Sequence, residues 1–237
     1  MNSARRIGTL REWSLHADLK RLYQKEGARA EVDVDGFIVD VVHDDMLIEI
    51  QTRGFASIKD KLIKLMRNHN VRLVHPIAIT KTIVRESIDG SIVLSRRKSP
   101  KRGGPQNIFD ELVSIPTLIH HQNFSIEVLL TEEEEVRHHD GKGSWRRRGW
   151  SIVDRRLISV QGRRLYGSAE DFLHFIPVSV EDPFTNADLI AATGYSRRVV
   201  QRMTYCLRKM AVLRVVGKRG RANLYERKIT SPQRGHP

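Results

Sequence analysis

Residues 31–51, EVDVDGFIVDVVHDDMLIEIQ, constrain the fold of this chain more tightly than any other stretch. Two short runs rich in Val and Ile flank the polar step His43-Asp44-Asp45, the pattern of a β-hairpin. Strand side chains alternate between faces, so Glu49 and Gln51 share one face while Ile48 and Ile50 point to the core. Asp40 sits on the preceding strand between Ile38-Val39 and Val41-Val42, where an ionised carboxylate is costly unless its charge is compensated. A divalent cation would compensate it. Two carboxylates and a backbone carbonyl are hard oxygen donors, suited to Mg²⁺ or Mn²⁺ rather than zinc. The plainer alternative is that Asp40 and Glu49 are ordinary sheet residues, facing solvent or paired with one of the many arginines.

The chain has 237 residues and a formal net charge of +13. The length fits one large domain or two ordinary ones, with two favoured. The excess charge is clustered, as in Arg146-Arg147-Arg148 and Lys218-Arg219-Gly220-Arg221, and a polyanion is the expected partner. The clusters lie in Gly-containing and mixed segments and do not line one face of an amphipathic helix, which argues against a membrane surface. The opening MNSARRIGTLREW lacks the apolar run of a signal peptide, and no later segment is apolar enough to span a bilayer. Cys206 is the sole cysteine, so no internal disulfide forms and a cytoplasmic location is expected.

Helical spacing of Leu15, Leu19 and Leu22 predicts a first helix over 9–23, and Ile58, Leu62, Leu65 and Met66 predict a second over 56–68. Strands are expected at 28–34, on both sides of 43–45, at 71–80, and as a hairpin around Asp89-Gly90. A mixed α/β fold follows. Ser99 to Pro105 reads as a linker or basic loop, and 107–180 is hardest to read: a short helix at 109–113, a strand at 124–130, the acidic run Glu132 to Glu135, and a basic aromatic stretch from Gly141 to Trp150. Arg146, Arg147 and Arg148 beside Trp145 and Trp150 suit a nucleic acid backbone or single strand; the alternative is a solvated loop anchored by its tryptophans. The expected division is 1–98, a mixed-sheet core; 99–180, a linker and basic α+β segment; and 181–237, a C-terminal unit.

A helix, then antiparallel strands with Asp on one and Glu-x-Gln on the next, then a helix and a further strand, resembles the core of the PD-(D/E)XK, or restriction endonuclease-like, nuclease superfamily over roughly residues 9–95. The resemblance implies phosphodiester hydrolysis assisted by Mg²⁺ or Mn²⁺. It assigns Asp40, Glu49 and the carbonyl of Ile50 to the metal, Gln51 to the position of the family's lysine, and Glu12 to the acidic group supplied by the first helix. His16 lies one turn after Glu12. A glutamine amide orients water by hydrogen bonding but brings no charge, so Lys61 or Lys64 on the following helix is a candidate to supply it.

Toward the C-terminus, Thr185 and Ser196 are helix caps and Gly194 is the turn between them; Val199, Val200, Met203, Leu207 and Met210 form the buried stripe of the second helix. Two strands then flank Gly217 to Arg221. This resembles a winged helix-turn-helix domain. The resemblance implies DNA binding, with Arg197, Arg198, Gln201 and Arg202 at a major groove and Lys218, Arg219 and Arg221 on phosphates. The expected function is a DNA-binding protein with a metal-dependent endonuclease-like domain; the alternative is a non-catalytic DNA-binding regulator with a degenerate nuclease fold. A homodimer is expected if both strands of a duplex are cut.

Overall fold

The computed structural model describes residues 14–228. Helix α1 (Ser14–Tyr23) turns Leu15 and Leu19 inward; Glu12 and the expected start of that helix lie outside the described residues. Strands β1 (Arg29–Val34), β2 (Phe37–His43) and β3 (Met46–Ile50) form an antiparallel meander. Its first turn is Asp35-Gly36, both at positive φ (52° and 80°), the two-residue geometry that matches strand twist.

Gly54, left-handed at φ 73°, starts a 3-10 turn (Phe55–Ile58) that runs into α2 (Lys59–Leu65). Strand β4 (Asn70–Glu86) returns parallel to β3, pairing Leu47 with Val71 and Ile50 with Val74. Its far half pairs antiparallel with β5 (Val93–Lys98). After the short helix α3 (Phe109–Leu112), β6 (Phe124–Gly143) runs parallel to β4, and β7 (Gly149–Tyr166) folds back on it. The result is one seven-stranded mixed sheet ordered β1-β2-β3-β4-β6-β7, with β5 also on β4.

The expected boundary at residue 98 therefore falls inside one sheet. Parallel neighbours such as β4 and β6 are far apart in sequence, so local pattern does not announce their pairing. The stretch Ser99 to Pro105 is held against β4, not free: Gly103 N–H donates to the Ala78 carbonyl at 2.9 Å, and a Cβ on Gly103 would come within 2.6 Å of that oxygen.

The acidic run also belongs to the sheet. Glu133, Glu134 and Glu135 are buried in β6. Glu134 pairs with Arg96 of β5, while Glu135 takes Lys81 of β4 at 3.4 Å and Arg137 at 2.5 Å. Farther along, Arg163 of β7 reaches Glu127 at 3.1 Å and Arg156 reaches Glu86 at 3.4 Å. Burying carboxylates is tolerable only with such partners.

Two cores flank the sheet. The smaller packs Leu15, Leu19 and Tyr23 of α1 on Val41, Ile48, Ile50, Val74 and Leu129. The larger gathers Leu62, Leu73, Phe109, Ile126 and Phe172 and continues into the C-terminal helices α4 (Asn186–Thr193) and α5 (Arg197–Lys209) through Leu189, Met203 and Leu207. Each fully buried side chain of this size contributes roughly 1.5–3 kcal/mol. Residues 181–228 thus share a core with the sheet. Thr185 and Asp188 cap α4 reciprocally, Gly194 ends it at φ 68°, and Ser196 caps α5. Strands β8 (Leu213–Arg219) and β9 (Ala222–Arg227) form a separate hairpin at the end of the described residues.

Candidate functional site

Asp40 and Glu49 lie just past the final pair of the β2–β3 ladder, Val41 with Ile48. There the Asp40 carboxylate takes the Ile50 N–H at 2.8 Å, in place of a further backbone bond. His16 of α1 reaches the same point: its Nε2 is 3.3 Å from Asp40 Oδ2 and 3.0 Å from the Ile50 carbonyl oxygen. Glu49 is buried, and Lys61 Nζ of α2 lies 2.5 Å from its Oε1 while donating to the Ile38 carbonyl. Helices from opposite faces of the sheet thus each bring a basic group to the paired acids.

Their titration diverges accordingly. Burial pushes Asp40 upward, but hydrogen bonds from His16 and the Ile50 N–H, with the charges of His16 and Lys61, hold it below the usual carboxylate range. For Glu49, burial outweighs the attraction of Lys61, and the Asp40 charge adds to it, so its carboxyl is raised. As a metal site, Asp40, Glu49 and the Ile50 carbonyl are a hard-oxygen set that fits Mg²⁺ or Mn²⁺ by donor chemistry. The set extends no further: among the described residues, no group of at least three His, Cys, Asp or Glu side chains is arranged to hold an ion.

Gln51 has a different task from the one expected. Its side-chain amide donates to the Arg53 carbonyl at 2.6 Å, with Gly54 O and Ser57 Oγ at 3.4 Å, so it braces the bend into α2. Its backbone carbonyl accepts from Nδ1 of His75, whose pKa is lowered by burial. Beside this bend opens a cavity of about 590 Å³ lined by Leu15, Gln51, Arg53, Ser57, Glu111 and Arg155, among others. Glu111 of α3 accepts the Gly54 N–H at 2.6 Å. Glu111 and Arg155 were invisible as site residues in the sequence; Arg155 showed only as half of a basic pair.

The basic residues separate into groups. Arg202, expected to face outward, instead docks on α3: its NH1 lies 2.6 Å from Asp110 Oδ1 and 3.1 Å from the Asp110 carbonyl. Arg198 NH2 reaches the same carboxylate at 3.1 Å. The cause is the shared core, which brings α5 against α3. Arg197 and Gln201 are exposed, and continue along α5 into Tyr205 and Arg208, also exposed and not singled out by sequence. On the β8–β9 hairpin, Lys218 and Arg221 are exposed, while Arg219 reaches Asp188 at 3.0 Å.

At the β6–β7 tip, Trp145 is 81% exposed, with Arg146 over its ring at 5.3 Å. Arg147 Nε donates to the Trp150 carbonyl at 3.2 Å, and Arg148 is left-handed at φ 49°. Trp150 is the inward one, with Arg85 over its ring at 4.6 Å.

Fold and site together define a mixed α/β protein with paired acids at the end of a hairpin ladder and basic side chains on its helical C-terminal part. The chain belongs to the family described as Domain of unknown function (DUF8091), whose profile matches residues 13–166, a span that includes α1 and runs to the end of β7. It is 32% identical over 233 residues to an uncharacterized protein of Treponema pallidum (strain Nichols), covering 98% of this chain and 91% of that relative. No solved structure matches the chain. Among the described residues, no helix is long and apolar enough to cross a membrane.

Proposed function

We propose that this chain is a DNA-binding protein whose sheet forms a restriction endonuclease-like core that hydrolyses phosphodiester bonds with Mg²⁺ or Mn²⁺, and whose residues 181–228 act as a winged helix-turn-helix reader. The single observation that carries the proposal is the ion pair of Lys61 with Glu49 at 2.5 Å beside Asp40. It supports the nuclease reading because Lys61 brings to the acids the positive charge that an amide at Gln51 does not supply.

Asp40, Glu49 and the Ile50 carbonyl would hold the cation. Bound there, such an ion lowers the pKa of water and screens charge on a phosphate. Lys61 opposes the negative charge of the acids and of an arriving phosphate. His16, with Nε2 within reach of Asp40 and of the Ile50 carbonyl, orients the Asp40 carboxylate and holds a proton at that atom. Arg197, Gln201, Tyr205 and Arg208 offer hydrogen bonds and charge to a duplex, and Lys218 and Arg221 to its phosphates.

A second reading, the non-catalytic DNA-binding regulator, is favoured by one specific observation: the Gln51 amide is spent on the backbone of its own bend. Cleavage separates the two. Full-length protein is incubated with supercoiled plasmid and with branched DNA in Mg²⁺ or Mn²⁺. The nuclease reading expects nicking or linearisation that Asp40→Ala abolishes while DNA binding persists. Retained binding with no cutting by the wild type on either substrate gives the regulator.

A further inference from the structure

The cavity beside Gln51 has a composition that a simple anion trap would not have. Arg53 and Arg155 both line it, and a guanidinium fork matches phosphate oxygens. Yet Glu111 lines it too, with Gln51 and Ser57 at the rim and Leu15 as an apolar wall. A carboxylate in the lining repels a bare polyanion and favours a ligand that carries hydrogen-bond donors as well as a phosphate. A nucleotide has both, in its base amino groups and its phosphate. The volume, about 590 Å³, falls in the range of small-ligand pockets.

Its location narrows the choice further. Leu15 precedes His16, which touches Asp40 and the Ile50 carbonyl, and Gln51 follows Ile50 two residues after Glu49, so two separate elements carry the cavity's lining up to the neighbours of the acids. Arg155 comes from β7, where it stands across from Glu135, and its charge helps keep that carboxyl ionised. The guanidinium is therefore carried on the sheet itself, and Arg53 on the bend that the Gln51 amide braces. The backbone that carries each arginine is thus fixed by the fold.

We infer that this cavity takes one nucleotide of a substrate strand, with its phosphate on Arg53 and Arg155 and the amino groups of its base toward the Glu111 carboxylate, making the two arginines positioning residues for a strand that enters the acid pair. Entry requires the nucleotide to leave a base stack, which costs least in single-stranded or distorted DNA. The inference rests on the nuclease reading for its role in cleavage, but binding of the nucleotide is independent of it.

The test is titration of the full chain, without metal, with a deoxynucleoside 5′-monophosphate and separately with inorganic phosphate, followed by calorimetry or by NMR. The monophosphate is expected to bind more tightly than inorganic phosphate, and Arg155→Gln and Arg53→Gln each to weaken it by about tenfold, the size of a lost charge-assisted hydrogen bond. Because Arg155 also faces Glu135, Thr52→Trp, which fills the cavity from its lining, provides a second route to the same loss. Equal affinity for phosphate and nucleotide, or nucleotide affinity unchanged in Thr52→Trp, overturns the inference. Nucleotide binding in a protein that never cuts DNA upholds the pocket and removes the nuclease. Cutting that Arg53→Gln and Arg155→Gln leave untouched, with no nucleotide bound, upholds the nuclease and removes the pocket.

Discussion

Lys61 Nζ stands 2.5 Å from the Glu49 carboxylate, and both side chains are largely withdrawn from solvent. Lys61→Met leaves a buried carboxylate without its cation and is expected to cost roughly 3–5 kcal/mol. Glu49 is already raised by burial, so in the variant it takes up a proton, and the loss is expected to be smaller in acid than at neutral pH. Adding Glu49→Gln should recover most of the stability. Urea unfolding of both variants checks this; a double variant as unstable as Lys61→Met would mean the pair is not the source.

Arg202 and Arg198 meet on Asp110, joining α5 to α3. Asp110→Asn is expected to destabilise by about 1–3 kcal/mol, and Arg202→Gln on top of it to add little, since both remove one contact. Fully additive losses would show that the two residues act separately.

The shared core makes a joint transition the expected outcome for the sheet and the C-terminal helices. Phe172, fully buried in that core, is expected to cost about 3–5 kcal/mol when replaced by Ala. Unfolding should remain a single event, with tryptophan fluorescence and far-ultraviolet dichroism superimposed. Two separated transitions in the wild type would instead restore an autonomous C-terminal unit.

His75 sets an acid dependence. Burial lowers its pKa from the ordinary 6.5, against the pull of the Gln51 carbonyl and of Glu111. Below 6.5 the unfolded chain takes a proton that the folded chain refuses, so this contribution to stability is present above that pH and is lost as pH falls toward the folded value. His75→Gln, which keeps a donor for the carbonyl, is expected to flatten the fall in urea midpoint between about pH 8 and pH 5. An unchanged slope would assign the acid sensitivity elsewhere.

For the DNA-binding reading, Arg197→Ala and Arg208→Ala are each expected to weaken binding and to make its salt dependence shallower by about one ion. Arg214→Ala, paired with Glu226 on the β8–β9 hairpin, should leave that slope unaltered. Electrophoretic or fluorescence binding at several salt concentrations distinguishes them.

What the sequence disclosed was local. Thr185, Gly194 and Ser196 act within a few residues of themselves, and the caps and turn stand where they were expected. The turn at 43–45 and the buried stripe of α5 were legible for the same reason, since periodicity and turn chemistry need no partner. Pairings at a distance were not legible. Glu134 and Glu135 are matched in the sheet by Arg96, Lys81 and Arg137, and nothing in the run itself names those partners. Arg202 carries the same charge as Arg197, and only the approach of α3 turns one inward. Asp40 and Glu49 drew notice as carboxylates within apolar strands, whereas Glu111 and Arg155, from a short helix and a late strand, required the tertiary fold to bring them to one cavity. Glu12 lies outside the described residues.

The charged rungs on β6 have one more effect. Sliding β7 by a single residue along its neighbour would turn Arg163 and Arg156 to the other face, away from Glu127 of β6 and Glu86 of β4, leaving those acids to Arg72 and His138. Greasy side chains tolerate such slippage far better than ions do. The glutamates therefore act as a ruler for the longest strands of the molecule, favouring the alignment in which each meets its full set of partners.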